Sequence, residues 1–220
     1  MQLVRRTVLA VLALVAPLAA AQQTRPTTAP DDPATPRGAL RTLNQAMRDG
    51  NVAAIRQLFL ATTPSEARMV DADAAMAAAL ARLRTAAVEA YGPRGADLVT
   101  GDTDAGAADS SARIDSADVV VTGDVATVVY RDEKDSPFVL KRSGGQWKVP
   151  VTQLGKPLDP AALDERLADL VVQRKVVQEL TDQIRQKKFA TAEEARQAWR
   201  TRILQAATSQ PTTRPVQQGP

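Results

Sequence analysis

The chain has 220 residues, and its 28 Lys and Arg side chains are almost balanced by 25 Asp and Glu. It contains no Cys and no His. This excludes disulfide frameworks, thiolate nucleophiles, Cys-type zinc or iron–sulfur sites and a Ser-His-Asp triad. With 44% hydrophobic residues, of which few are aromatic, the composition is that of a globular protein. The sequence indicates location and architecture, and it leaves the function largely open.

Residues 1–21 have the three-part pattern of a secretory signal peptide. Arg5 and Arg6 give a charged start, residues 7–18 are apolar (TVLAVLALVAPL), and three Ala residues end the segment. The alternative, a membrane anchor, needs about 20 apolar residues, and this run is shorter and contains a proline. We expect cleavage before Gln22 and export to the periplasm or the medium. The adjacent Arg pair leaves both the general secretory and the twin-arginine routes open.

Cleavage of residues 1–21 leaves 26 basic against 25 acidic side chains. That balance gives no reason to expect nucleic acid as a partner, and we expect no membrane span after cleavage. Residues 22–35 and 208–220 are rich in Pro, Thr and Gln, which predicts a disordered linker and a disordered tail. Between them we expect an α+β domain over 36–155 and a helical extension over 156–207.

Capping signals and apolar spacing predict three helices at the start of the domain. Thr35 can cap the first and Asn51 the second. The capping box from Thr63 to Glu66 opens the third, an Ala-rich helix that runs to about Tyr91. We expect the strands that follow in the chain to wrap around this long helix and shield it from water.

From Ala117 the apolar period changes to two, which predicts an antiparallel meander of four short strands over 117–151. Gly123-Asp124 and Ser143-Gly144-Gly145 are turn signals between strands. The expected fold class is therefore α+β, with N-terminal helices packed on a curved four-stranded antiparallel sheet, followed by two C-terminal helices. The first of these helices is predicted over 159–188, and the second opens at Thr191.

Residues 92–116 are rich in Gly, Asp, Ala and Ser, which predicts a long mobile loop. Asp102 and Asp104 resemble the start of a calcium-binding loop. Ala107 and Arg113 stand where an EF-hand needs Gly and a bidentate Glu. We therefore expect no metal site in this segment, and nothing else in the sequence indicates a cofactor.

Two stretches resemble the nuclear-transport-factor-2-like (SnoaL-like) superfamily of α+β cones. The first is an apolar spacing with a turn in two helices: Ala39, Leu40, Leu43, Ala46, Met47, Gly50, Asn51, Ala54, Ile55, Leu58 and Phe59. The second is a closing hairpin, residues 138–142 (FVLKR) followed by residues 145–149 (GQWKV). The resemblance covers about 36–154 and implies a sheet curled around a long helix, with a pocket at the open end.

Members of that superfamily include isomerases and hydratases, and many are non-catalytic binding or accessory domains. This chain departs from the pattern in its unusually long third helix, its Asp-rich insertion and its two added C-terminal helices. The missing His weakens a hydratase analogy. Fold alone does not define the function.

The function that we expect is an exported accessory or small-ligand-binding domain without catalytic activity. Its candidate ligand-binding residues are Tyr130, Trp147 and Asp73. The alternative for Tyr130 and Trp147 is that both are core residues of the sheet face. The expected partner is a small molecule or another envelope protein, and the chain is a monomer or a homodimer.

Two other functions stay open. One is an isomerase-type enzyme in which Asp71 or Asp73 acts as a base and Tyr130 polarises a carbonyl. The other is a protein-interaction module that uses the apolar stripe of the C-terminal helices, which begins at Leu163 and ends at Ile184.

Overall fold

The computed structural model describes residues 32–100, 104–131, 137–154 and 159–208. The predicted signal peptide, most of the predicted linker and residues 209–220 lie outside these ranges. Residues 32–35, predicted as linker, form a turn in which the Thr35 amide donates to the Asp32 carbonyl. The Trp147 amide donates to the Pro33 carbonyl at 2.9 Å, so this turn is attached to the sheet.

The fold is α+β. Its helices are α1 (Pro36–Asp49), α2 (Val52–Leu58), α3 (Pro64–Tyr91), α4 (Asp97–Thr100), α5 (Asp104–Ser116), α6 (Pro160–Arg185) and α7 (Ala192–Thr208). Its strands are β1 (Phe59–Leu60), β2 (Asp118–Thr122), β3 (Val125–Val129), β4 (Phe138–Ser143) and β5 (Gln146–Pro150). Two 3-10 turns, Pro93–Ala96 and Val151–Leu154, follow α3 and β5.

The predicted helix starts are confirmed by side-chain caps. The Thr35, Asn51 and Thr63 side chains each accept a hydrogen bond from a backbone amide in the first turn of the helix that follows. The Thr63 amide in turn donates to the Glu66 carboxylate at 3.3 Å, which completes the capping box of α3. These predictions depend on contacts within four residues, which a sequence shows directly.

The segment predicted as a long mobile loop over 92–116 is largely helical, so that prediction is wrong. It contains the first 3-10 turn, α4 and α5. The physical reason is tertiary: Ile114 is buried in the same core as the sheet, and Asp115 forms an ion pair with Arg41 of α1. Asp104 begins α5, whereas Asp102 lies outside the described residues. No cluster of three or more carboxylates that could hold a metal occurs in the described ranges.

The sheet has five strands in the order β1-β5-β4-β3-β2. The antiparallel meander from β2 to β5 is confirmed, and the prediction of four strands is incomplete because β1 adds a parallel edge. Phe59 pairs with Val149 and Leu60 with Pro150, about 90 residues later in the chain. Phe59 was predicted as part of the second helix, because pairing over such a distance leaves no local pattern.

The buried apolar residues form two clusters. The first joins one face of the sheet to α1, α2, the end of α5 and the first half of α3, where it includes Val70, Ala74 and Ala77. The second joins the rest of α3, from Ala79 to Ala87, to α4, α6 and α7, and it contains no strand residue among those described.

The long helix α3 makes its most extensive contacts with α6. The expectation that the sheet would wrap the whole of α3 is therefore wrong for the second half of the helix. The predicted stripe of α6 packs there, with Val177, Leu180 and Ile184 buried. It is consequently not the open surface that the interaction hypothesis requires, and Val171 and Val172 are exposed elsewhere on α6. Across the described ranges, no helix has the length and apolar character to cross a bilayer.

Candidate functional site: a polar cleft between α3 and α7

A cleft of about 630 Å³ lies where the end of α3 meets the start of α7. Tyr91 forms part of one wall, and Arg94 and Asp97 follow it on the first 3-10 turn and α4. Residues 190–193 and Arg196 form the opposite wall. The volume is within the range of about 300–1,000 Å³ that small-molecule sites occupy.

Gly95 allows the turn that carries Arg94 to lie directly against α3. A Cβ at position 95 would be 2.1 Å from the carbonyl oxygen of Ala87, a contact that the backbone cannot accommodate. Gly92, with φ of 70°, ends α3 and reverses the chain just before this turn. The close approach places Arg94 and Asp97 beside the last turn of α3.

The other wall is fixed by a side-chain cap at the start of α7. The Glu194 amide donates to the Thr191 hydroxyl at 3.2 Å, and the Ala190 amide donates to the Glu194 carboxylate at 2.8 Å. These bonds confirm the helix start predicted at Thr191. The amides of Ala192 and Glu193 belong to the first turn of α7, where the helix offers no internal acceptor. They give this wall a surplus of hydrogen-bond donors.

Tyr91 connects the two walls. Its hydroxyl donates to the Phe189 carbonyl at 3.3 Å. Burial, together with the negative charge of Glu194, raises the pKa of the Tyr91 phenol above its ordinary value. The phenol therefore remains protonated at neutral pH and acts as a donor.

The charges of the cleft are balanced. Arg196 forms an ion pair with Glu193, with 2.6 Å between Nη1 and Oε2. The Arg196 Nε is buried and has no hydrogen-bond partner among the described residues. Arg94 and Asp97 add one charge of each sign. Such a surface can bind an anionic group and a donor group of the same small molecule.

The three residues predicted as a ligand site are not part of this cleft. Trp147 is 3% exposed and lies in the first core cluster. This position agrees with the alternative that Trp147 is a core residue of the sheet face. Tyr130 packs against the same cluster, and the Arg113 guanidinium lies 4.7 Å from its ring centroid. Trp147 pairs with Arg142, whose amide donates to the Asp124 carbonyl just before β3 begins, whereas Tyr130 follows the last residue of β3. The two residues therefore lie at opposite ends of the sheet.

Asp73 and Asp71 lie on α3 in different surroundings. Burial raises the pKa of the Asp73 carboxyl, and the positive charge of Arg166 on α6 partly opposes that rise. Asp71 is exposed and forms an ion pair with Arg56, with 2.7 Å between Asp71 Oδ1 and Arg56 Nε. The isomerase hypothesis would have to use Asp73, and its prediction that Asp73 and Tyr130 act together stays untested.

The cleft residues Arg94, Asp97, Glu193 and Arg196 were missed by the sequence reasoning. The Gly-Pro pair after Tyr91 marks the first chain reversal, and the cap residue Thr191 marks the second. Neither signal shows that the two reversals meet, because they are separated by about 100 residues.

No protein-family model matches this chain, and comparisons with curated proteins and with solved structures also found no match. The resemblance to the nuclear-transport-factor-2-like superfamily therefore stays a prediction.

Proposed function

We propose that the chain is an exported accessory domain that binds a small polar molecule in the α3–α7 cleft without transforming it. The observation that carries the proposal is the meeting of Tyr91 and Arg94 with the start of α7 around one cavity of ligand size. Concave shape with a few convergent polar groups is the usual form of a small-molecule site. Because the chain has no Cys or His, the commonest nucleophile and base pairs cannot form in it.

The chemistry of the walls indicates the class of ligand. Arg94 and the first-turn amides of α7 suit a carboxylate or a similar small anion. Asp97 accepts hydrogen bonds from an amine or hydroxyl group. A compact molecule that carries both kinds of group, such as an amino acid or hydroxy acid, fits these requirements best.

The proposal is tested by thermal shift and calorimetry on the purified protein with a panel of amino acids, hydroxy acids, amines and simple carboxylates. We expect at least one zwitterionic or hydroxylated acid to raise the melting temperature. Arg94→Gln should abolish that rise. Arg82→Gln removes an exposed arginine of α3 that does not line the cleft, and it should leave the rise intact.

Two results would count against this function. One is a panel in which no compound stabilises the wild-type protein. The other is stabilisation that Arg94→Gln and Arg82→Gln reduce equally, since the ligand would then respond to the overall charge and not to the cleft.

A further inference from the structure

The strand β2 forms one edge of the sheet, and its outer side is open in the described structure. Val120 is 62% exposed and Val121 is 52% exposed. The strand contains no Lys, Pro or bulge, and its one charged residue is Asp118 at its first position. Its centre therefore lacks the usual devices that keep an edge from pairing with another chain. The opposite edge, β1, is only two residues long. Of these two edges, β2 is therefore the one suited to pairing.

The hairpin register shows which backbone groups of β2 point outward. Thr122 and Val125 pair across the two-residue Gly123-Asp124 turn, so they form the hydrogen-bonded pair that closes it. Hydrogen-bonded and non-hydrogen-bonded pairs alternate along an antiparallel ladder. The amides and carbonyls of Val119 and Val121 consequently point away from β3.

The same alternation makes the Ala117 carbonyl point outward, and an independent contact agrees with it. Arg37 Nη2 of α1 donates to that carbonyl at 2.6 Å. Arg37 thus occupies the beginning of the edge and leaves the groups of Val119 and Val121 for another strand.

We propose that β2 pairs with β2 of a second copy of this chain, antiparallel and centred on Val120, so that two five-stranded sheets become one. In this register Val119 lies opposite Val121 of the second copy, and the two such pairs exchange four hydrogen bonds. Val120 lies opposite its own equivalent, and valines favour such cross-strand contacts. Asp118 falls opposite Thr122, so no like charges are directly opposed.

Charge complementarity favours a second copy over an unrelated strand. Ala117 falls opposite Gly123 of the second copy, which brings Arg37 next to Asp124 of that copy. The twofold axis repeats this contact at the other end of the interface. The edge of one copy, with its flanking charges, is therefore complementary to the same edge of the second copy.

The interface is small, because it consists of one five-residue strand and its flanking turn. It should bury less than the roughly 1,200 Å² that stable complexes require, so association should be reversible and dependent on concentration. We expect dimers to form at micromolar or higher protein concentration.

The absence of Cys from the chain allows a specific test. Val120→Cys places one thiol at the proposed twofold axis, where a non-hydrogen-bonded pair has its Cα atoms about 4.5 Å apart. That separation is within the disulfide range of about 4.4–6.8 Å. Val171→Cys is the matched control, because Val171 is 54% exposed and lies on α6. Under mild oxidation we expect a covalent dimer from the first variant at least tenfold faster than from the second. Equal rates would overturn the proposal.

A second variant tests the hydrogen bonds without a crosslink. Val121→Pro removes an outward amide and leaves the β2–β3 ladder intact, since proline is tolerated where the amide faces away. Val120→Thr keeps both the β-branched shape and the amide. In sedimentation equilibrium, wild type and Val120→Thr should dimerise, whereas Val121→Pro should weaken association at least tenfold with unchanged circular dichroism. A wild-type protein that stays monomeric at millimolar concentration, or a Val121→Pro variant that dimerises normally, would refute this interface. These readouts do not depend on ligand binding in the cleft.

Discussion

Tyr91 and Phe189 are 98 residues apart in the chain, and the hydroxyl of the first donates a hydrogen bond to the carbonyl of the second at 3.3 Å. The bond ties the last turn of α3 to the segment between α6 and α7. Since Arg94 follows one partner and Thr191 follows the other, this contact sets the distance between the two walls of the cleft.

Replacement of Tyr91 by Phe should lower both the stability and the ligand affinity. It removes the bond to Phe189 and keeps the ring in place, so we expect a loss of about 0.5–1.5 kcal/mol in the free energy of unfolding. Urea denaturation measures this loss, and the denaturant slope should be unchanged. A Tyr91→Phe variant with the wild-type midpoint would show that the contact contributes nothing to stability.

Gly95→Ala should destabilise the protein more than the same substitution at another turn glycine. The new Cβ would overlap the backbone of Ala87, so the turn has to move off α3, at a cost of about 3 kcal/mol. Gly144→Ala is the control: Gly144 has φ of 60° and open space around it, so the cost is strain alone, about 1–2 kcal/mol. Thermal melts measure the loss of stability in each variant. Equal losses in Gly95→Ala and Gly144→Ala would contradict the close approach of Gly95 to α3.

The features that the sequence predicted correctly are local ones. The caps at Thr35, Asn51 and Thr63 each bind the amide of the residue three positions further along. The hairpin at Gly123-Asp124 is likewise a two-residue signal. A sequence shows such features because donor, acceptor and turn residue all fall within one short window.

The features that the sequence did not show depend on contacts between distant segments. The strand at Phe59 exists only because β5 is beside it. Helix α5 lacks a clear apolar stripe, and Ile114 packs into a core that other elements supply. The cleft likewise forms where two distant segments come into contact, residues 90–97 and 190–196. Its residues therefore carry no local pattern that identifies them.

The carboxylate of Glu66 should make part of the stability dependent on pH. Hydrogen bonds from the Thr62 amide, the Thr62 hydroxyl and the Thr63 amide lower the pKa of Glu66, although partial burial acts in the opposite direction. A folded-state pKa below the unfolded value of about 4.3 means that this contribution is complete above that pH. It is lost as the pH falls further, through the folded-state pKa.

Glu66→Gln tests this expectation by thermal melts between neutral and acidic pH. The variant should be less stable than the wild type at pH 7, and the difference should shrink as the pH falls below about 4.3. Glu89→Gln, at an exposed position of the same helix, should show no such convergence. If the difference in stability between the wild type and Glu66→Gln stayed constant with pH, the charge of Glu66 would play no part in the cap.

Packing between α3 and α6 should dominate the stability of the C-terminal half. Leu180 is fully buried in the second core cluster, where it lies with Leu83 of α3. Leu180→Ala removes most of that side chain and should cost about 2–5 kcal/mol in the free energy of unfolding. Val171→Ala changes an exposed residue of the same helix and should stay within about 0.5 kcal/mol of the wild type. Chemical denaturation followed by Trp fluorescence measures both, and a mild effect of Leu180→Ala would show that α6 is not held against α3 in solution.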